Sequence, residues 1–406
     1  MGENLRVIEY RIPESFDGMT VGAFLRSRHY SRRIINHLKN TSEENVFEPE
    51  AQAGAEQTGC GQNKRMSSEQ YGILLDSRPV RTIDRLAAGH KLTIRLLETE
   101  ESPHVPESPI PLDILYEDED LCVIHKPAGM PVHPSMGHSL NTLGNALCYD
   151  THHRLGFDRY VERIVNRLDR DTSGTVISAK NALSASVLGE AVGKGEIHRI
   201  YFAVCSGNLR QWDRALEWVS EETEEESDRF FRGLDRLCLE KLAECCPDIS
   251  RRLENTETLP QSAATAGNLG EAKAAGKCGR LRLRISAPLG RKPGSVVERC
   301  VDPAGERAVT HLQMLYYDVA RDCSVLLLKL ETGRTHQIRV HLQYLGHPLP
   351  GDFLYHPDMR YIQRQALHAL LLRFPQPVTG EEITVFAPLP ADMAMLLRSA
   401  ETAVGH

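Results

Sequence analysis

No stretch of this chain approaches the roughly 20 consecutive apolar residues that a membrane-spanning helix needs. The opening Met1-Gly2-Glu3-Asn4-Leu5 lacks the basic and apolar blocks of a signal peptide. Met1-Gly2 is not a myristoylation start either, because the sixth position is Arg6 rather than Ser or Thr. A cytoplasmic protein with no membrane partner is expected. Cysteines at metal-ligand spacing are also missing: ten are spread over 406 residues without a Cys-x-x-Cys pair, and Cys245 and Cys246 are merely adjacent. In a reducing compartment they read as free thiols, with Cys122, Cys205 and Cys323 expected inside strands. His336 and His341 stand five apart with no third ligand nearby, so no metal is expected. No glycine-rich loop follows a strand-like run, which argues against a parallel nucleotide-binding sheet.

The formal charge of −7 argues against a uniformly basic surface. It is not evenly spread: residues 211–260 hold fourteen acidic side chains against seven basic ones, which accounts for the whole excess. The rest is near neutral, with basic clusters at Arg26, Arg28, Arg32 and Arg33 and at Arg280, Arg282 and Arg284. A nucleic-acid partner therefore stays open, because such contacts depend on local patches and not on the total.

The length allows two or three domains. Residues 1–100 read as a small αβ domain. Leu5 to Ile12 is strand-like, a helix begins at Thr20-Val21, and Ser31 can cap a second helix from Arg32 to Lys39. Arginines in the first turn of that helix oppose its dipole, so Arg28, Arg32 and Arg33 are expected to serve a partner. Gly72 to Val80 and His90 to Leu96 read as two strands. Between them, 41–70 lacks periodicity and reads as a disordered insertion. The stretch Glu98 to Pro111, with four prolines, is the linker, centred on 101–111. Residues 112–398 form the larger domain, with short β-branched runs at Leu121 to Ile124, Thr175 to Ile177 and Ser324 to Leu328. Helices are expected at Leu183 to Ala191 and Thr335 to Leu345. An insertion at 211–278 shows near-helical spacing of Phe230, Leu234, Leu237 and Leu242, then a loop-like half from Asn255 to Gly276. It is expected as a solvated decoration turned away from any phosphate, with its protein partner unknown. The fold class is α+β: a mixed, largely antiparallel sheet with flanking helices, plus the small N-terminal αβ domain.

The segment Asn166-Arg167-Leu168-Asp169-Arg170-Asp171-Thr172-Ser173-Gly174 carries the sharpest chemical signal. It sets Asp169 between arginines at a turn that leads into the apolar run Thr175 to Ala179. A neighbouring guanidinium favours the ionised carboxylate, which can then act as nucleophile or base. An isolated tripeptide of this kind is more often a structural ion pair, so its companions matter.

Those companions carry a resemblance. Residues 166–174 resemble the signature of the RluA-type pseudouridine synthases, His-Arg-Leu-Asp-x-x-Thr-Ser-Gly. Thr332-Gly333-Arg334-Thr335-His336-Gln337-Ile338-Arg339-Val340-His341-Leu342 is similar to that family's C-terminal motif, continued by Leu345 to Pro348, Gly351-Asp352 and Gln363 to Ala369. Lys126 to Pro134 resembles its opening strand and loop, and Arg199-Ile200-Tyr201 with Gly207 stands where the family has a basic residue, a tyrosine and a glycine. Asn166 departs from the usual histidine, and Gln376 stands where a histidine is common. The N-terminal unit, two short helices with a basic face and then strands, resembles an S4-like RNA-binding domain.

The resemblance implies an RNA uridine isomerase that needs no cofactor, since nothing is oxidised and no group enters or leaves. Asp169 would act at C1′ of the sugar, either adding to it or abstracting a sugar proton. Arg339 is the candidate to hold that carboxylate through a bidentate grip, with Arg334 second. Tyr201 corresponds to the family's active-site tyrosine. The target must leave its stem, with Arg167 as the wedge into the vacated space. Lys126, Arg170, His336 and Gln337 are expected at phosphates or the base edge. Large-subunit rRNA is the favoured substrate, with tRNA open. The rivals are a catalytically silent RNA-binding or ribosome-assembly factor on the same fold, and a glycosidase lacking its second carboxylic acid.

Overall fold

A computed structural model describes residues 2–40, 72–102, 104–134, 139–246, 248–249 and 280–398. The expected disordered insertion at 41–70 and the loop-like half at 255–276 lie outside the described residues.

The N-terminal unit has β1 (Leu5–Arg11), α1 (Val21–Ser27), α2 (Arg32–Asn40), β2 (Ile73–Leu75), β3 (Arg78–Pro79) and β4 (Lys91–Leu97). Its four strands pair in the order β1-β4-β2-β3, all antiparallel. Thr20 starts α1 by accepting the Ala23 N–H, and the Ser31 hydroxyl accepts that of Ile34, each satisfying a donor the helix cannot. The helices bury Val21, Phe24, Leu25, Ile34, Ile35 and Leu38 against Ile8, Leu92 and Ile94. Gly72 to Val80 is a hairpin, not one strand. Leu75 pairs with Arg78 across Asp76 and Ser77, whose φ values of 46° and 66° make the two-residue turn that suits strand twist.

This unit is fastened to the larger one. Leu183 of the larger domain enters its core, and the Arg6 guanidinium donates to both oxygens of the buried Asp120 at 2.9 and 3.0 Å. The proline-rich stretch is a strap and not a free tether: Glu98 pairs with Arg163, and the Ser102 N–H donates to the Tyr160 carbonyl. Gln376 belongs to the same joint, with its amide donating to Asp118 and Asp120 and its carbonyl accepting from Val378 and Thr379, so that departure from the family pattern lies outside the chemistry.

The larger domain has strands β5 (Ile114–Glu117), β6 (Leu121–Lys126), β7 (Ser173–Ala179), β8 (His198–Ser206), β9 (Val219–Glu221), β10 (Arg282–Ile285), β11 (Leu289–Arg291), β12 (Arg299–Val301), β13 (Thr310–Asp318), β14 (Cys323–Leu330), β15 (Leu367–Pro375) and β16 (Glu382–Phe386). Its helices are α3 (Leu143–His153), α4 (Ala182–Lys194), α5 (Glu224–Phe231), α6 (Leu234–Cys245), α7 (Gln337–Tyr344) and α8 (Ala391–Leu397). Ten strands form one sheet in the order β5-β6-β7-β15-β8-β14-β13-β10-β9, with β16 also on β15. β7 and β15 run parallel and the other neighbours antiparallel, as an α+β fold with a mixed sheet requires. Cys122, Cys205 and Cys323 are buried in these strands.

Side chains alternate between the two faces of a strand. On β8, Tyr201, Ala203 and Cys205 enter one core, while Ile200, Phe202 and Val204 enter another. Both faces are covered, which is why the central runs are apolar without a break. The second face is covered in part by α5 and α6: Phe231, Leu234, Cys238 and Leu242 are fully buried against it. The acidic insertion is therefore no solvated decoration in its described part. At about 1.5–3 kcal/mol per buried side chain of this kind, those contacts are worth on the order of 10 kcal/mol to the fold.

Candidate active site

The turn before β7 is built by short-range bonds. The Asn166 amide donates to Thr175 O at 3.2 Å and its Oδ1 accepts the Ile177 N–H at 2.8 Å, so this side chain extends the sheet like a piece of backbone. Leu168 is anchored in the core, and the Thr172 N–H closes the turn on Asp169 O. At Gly174, φ is +120° and an added Cβ would lie 2.2 Å from Ala369 O. Only glycine lets β7 and β15 meet there, immediately beyond the carboxylate. Asp169 is thus presented at a rigid junction, its side chain 27% exposed.

Opposite it stands the start of α7. The Gln337 side chain spends its hydrogen-bonding capacity on the preceding loop. Its Oε1 accepts from the Thr332 hydroxyl and the Arg334 N–H, and its Nε2 donates to Val309 O and Thr310 Oγ1, at 2.8–3.0 Å. Arg339, one turn into the helix, is 3% exposed and sits between two carboxylates. Its Nε and Nη2 donate to Asp352 at 2.7 and 2.8 Å, and its Nη1 donates to Asp169 Oδ2 at 2.9 Å. The expected bidentate grip exists, but on Asp352, and Asp169 takes the remaining N–H. Asp352 is buried and also accepts the Leu354 and Tyr355 N–H groups. Burial works against the Arg339 charge, yet hydrogen bonds and attraction from Asp352 and Asp169 outweigh it and hold the guanidinium above its ordinary pKa.

His336 precedes α7 in the left-handed region, φ 58°. Its Nδ1 lies 2.9 Å from the Tyr355 hydroxyl, which accepts the Arg299 N–H at 2.9 Å. The phenol accepts from Arg299 and has its own proton to offer Nδ1, an arrangement that would place the neutral imidazole's proton on Nε2. That nitrogen faces Asp169 Oδ2 at 4.0 Å. Burial lowers the His336 pKa, while Asp169 pulls it up; burial prevails.

A cleft of about 540 Å³ opens over these groups, lined by Arg167, Asp169, Tyr201, Arg334, His336 and Arg339, among others. That volume suits a small polar ligand or an everted nucleoside. Tyr201 is buried, which raises its phenol pKa and keeps it protonated. Arg167 reaches across to the Thr335 hydroxyl at the rim.

Seven of the nine expected site residues line this cleft: Arg167, Asp169, Tyr201, Arg334, His336, Gln337 and Arg339. Four residues differ from expectation in place or partner. Lys126 is fully buried: its Nζ donates to the carbonyls of Pro127, Met130 and Arg170 at 2.7, 2.8 and 2.9 Å, and so braces the turn that carries Asp169 instead of meeting phosphate. Burial pushes its pKa down to about 7, although three carbonyl acceptors favour the ammonium. Arg170 turns outward onto Asp171 and the Phe353 ring, and Gln337 is spent inside the wall. Arg334 does not hold Asp169; it pairs with Glu306 and donates to Arg307 O. On the N-terminal unit, Arg28, Arg32 and Arg33 are exposed. Arg28 lies over Tyr10, Phe16 and Phe24, and Arg33 pairs with Glu100. Asp352 and Tyr355 were not singled out as site residues; the only signal was the Gly351-Asp352 turn.

A partly exposed carboxylate held by Arg339 over a cleft of this size, with Tyr201 in its wall, suits chemistry on a nucleoside. Residues 120–344 match the family described as RNA pseudouridylate synthase. The chain is 34% identical over 314 residues to the uncharacterized RNA pseudouridine synthase YjbO of Bacillus subtilis (strain 168), covering 77% of this chain and 85% of that one. It is 31% identical over 326 residues to ribosomal large subunit pseudouridine synthase D of Vibrio vulnificus (strain CMCP6), covering 77% of each. A solved structure, human RNA pseudouridylate synthase domain containing 1, aligns with a TM-score of 0.43 and 22% identity over 74% of this chain and 95% of that one. The chain belongs to the RluA-type RNA pseudouridine synthases and is an RNA-modifying isomerase. Among the described residues, no helix is long and apolar enough to cross a membrane.

Proposed function

We propose that this enzyme isomerises uridine in structured large-subunit rRNA, with Asp169 acting at the sugar. The N1–C1′ bond breaks, the sugar rejoins at C5, the C5 proton leaves and N1 gains one. Asp169 faces the electron-poor C1′, oriented by the Arg339 N–H at 2.9 Å. Tyr201 offers its ring to the uracil and, being protonated, a hydroxyl to the base edge. Arg167 fills the stack vacated by the everted uridine, a step that costs a few kcal/mol. Residues 1–100 serve as an S4-like RNA-binding domain through Arg28, Arg32 and Arg33, residues 101–111 link it to the rest, and 112–398 carry the catalysis. The observation that carries this reading is Asp169 gripped by Arg339 in the same cleft as Tyr201. The rRNA target is favoured because relatives at about 30% identity are named as ribosomal large subunit synthases.

The test is a pseudouridine map of total RNA from cells with the wild-type protein, with Asp169→Asn, and without the protein. Marks confined to large-subunit rRNA should vanish in the last two, while purified Asp169→Asn binds RNA within a few-fold of wild type. Marks lost from tRNA instead would overturn the target, and substantial activity of Asp169→Asn would overturn the role of the carboxylate.

A further inference from the structure

A second cavity of about 550 Å³ adjoins the uridine cleft and shares four wall residues with it, Val192, Arg199, Leu330 and Glu331. Its far wall is the end of α5, in the insertion that covers the sheet's second face. We propose that this cavity binds the phosphodiester backbone of the RNA strand flanking the target uridine, so that the acidic insertion contributes a cationic extension of the substrate path. The inference rests on the isomerase reading of the neighbouring cleft.

Four permanent or near-permanent cations line the cavity: Arg199, Arg229, Arg232 and Lys329. Its two carboxylates are already engaged. Glu226 accepts the Thr223 N–H and hydroxyl, both at 2.9 Å, in a helix cap, and Glu331 is held by His311 at 2.8 Å and by Arg307. Among the described residues, Arg229 pairs with the exposed Glu225 alone. Among the described residues, Arg199 and Arg232 have no carboxylate within ion-pair distance. Lys329 is buried, donates to Phe230 O and lies 4.6 Å from the centre of the Phe230 ring; among the described residues no acid lies within ion-pair distance of it, although Asp235 attracts it from further off.

The crowding is electrostatically uphill in the free protein. Burial, then Arg232 and Arg373, lower Lys329 to about 8; burial, then Lys329, Arg232 and Arg373, lower His198 to about 4. Gathering cations that depress one another makes sense where an anion arrives to relieve them. Arg232 itself ends α5 at φ 55°, a backbone position where glycine is the unstrained choice, and it places an exposed guanidinium there. The anion is assigned as a phosphodiester because the cavity shares a wall with the cleft that receives the nucleoside, at the end of the sheet, where the strand flanking the nucleoside passes. Of the three acidic residues in the first turn of α5, Glu224 and Glu225 lie outside the cavity and Glu226, which lines it, is engaged in the helix cap.

The full-length Arg229→Gln/Arg232→Gln variant tests this against a uridine-rich RNA oligonucleotide over a salt series. Each phosphate contact to single-stranded RNA contributes about 0.7 to the slope of log affinity against log salt. The double variant should therefore lose about 1.4 of slope and bind roughly tenfold or more weakly at low salt, with the turnover rate at saturating RNA unchanged. Arg236→Gln, an exposed arginine on α6 outside the cavity, controls for net charge. An unchanged slope in the double variant, or an equal loss in Arg236→Gln, overturns the proposal. Failure of the isomerase reading would show separately, as a wild-type protein that binds the oligonucleotide but leaves no pseudouridine in rRNA.

Discussion

Asp352→Asn isolates the part of the site that the aspartate motif does not reveal. Asparagine keeps the shape and can still accept the Leu354 and Tyr355 N–H groups and one guanidinium N–H. It removes the charge that faces two Arg339 donors at 2.7 and 2.8 Å in a place where Arg339 is 3% and Asp352 1% exposed. Removing one partner of a buried pair costs about 3–5 kcal/mol. The surviving bond to Asp169, on the open side, offsets part of that, so a loss of about 3 kcal/mol is expected. In a domain of this size that corresponds to a Tm roughly 6–12 °C lower. Arg339 will also be drawn toward its remaining anion, which moves Asp169; a displacement of about 1 Å can cost on the order of a hundredfold in rate. The assays are thermal unfolding, single-turnover isomerisation below the variant's Tm, and RNA binding. The expected pattern is a large loss of stability and turnover with RNA affinity within a few-fold. A variant with wild-type Tm and wild-type turnover would refute the idea that Asp352 sets the catalytic ion pair.

Three other outcomes follow from packing. Lys126→Met strips the donor from three carbonyls and should cost about 3 kcal/mol in urea unfolding without altering the salt slope of RNA binding; weakened binding at undiminished stability would return Lys126 to the phosphate path. Gly174→Ala sets a Cβ 2.2 Å from Ala369 O at φ +120° and should both destabilise the chain by more than about 3 kcal/mol and abolish turnover, so an active, stable variant would contradict the junction described. Excision of 211–278 uncovers the sheet at Phe231, Leu234, Cys238 and Leu242 and should give insoluble protein, with a soluble, active deletion as the contrary result.

How much of this was legible depended on whether a residue's neighbours are near in sequence. The β-branched runs reported strands correctly because a sheet buried on both faces needs apolar residues at every position. Helix starts at Thr20 and Ser31 were readable because a cap bonds within three residues. Gly72 to Val80 misled because Asp and Ser at positive φ carry no glycine to announce the turn. The insertion misled for a different reason. Helical spacing of Phe230, Leu234 and Leu242 states that one face is apolar, but the surface that covers it belongs to β8, β14 and β15, which lie before and after it in the chain.

The site divides along the same line. Asp169 and Arg339 are 170 residues apart, yet both could be named, because each sits in a local pattern whose chemistry is self-evident: a carboxylate at a strand entrance and a permanent cation one turn into a helix. Nothing local says that Arg339 must be shared. That follows from charge: a guanidinium buried with Asp169 alone would leave two of its donor groups unsatisfied in a dry wall, and a bidentate grip on Asp169 would turn both carboxylate oxygens toward the protein. Giving the fork to the buried Asp352 and a single N–H to Asp169 satisfies the cation while leaving Asp169 Oδ1 free of Arg339. The second acid is therefore what leaves the first one with an oxygen free of Arg339, and it is a requirement of three-dimensional bonding that no single motif encodes.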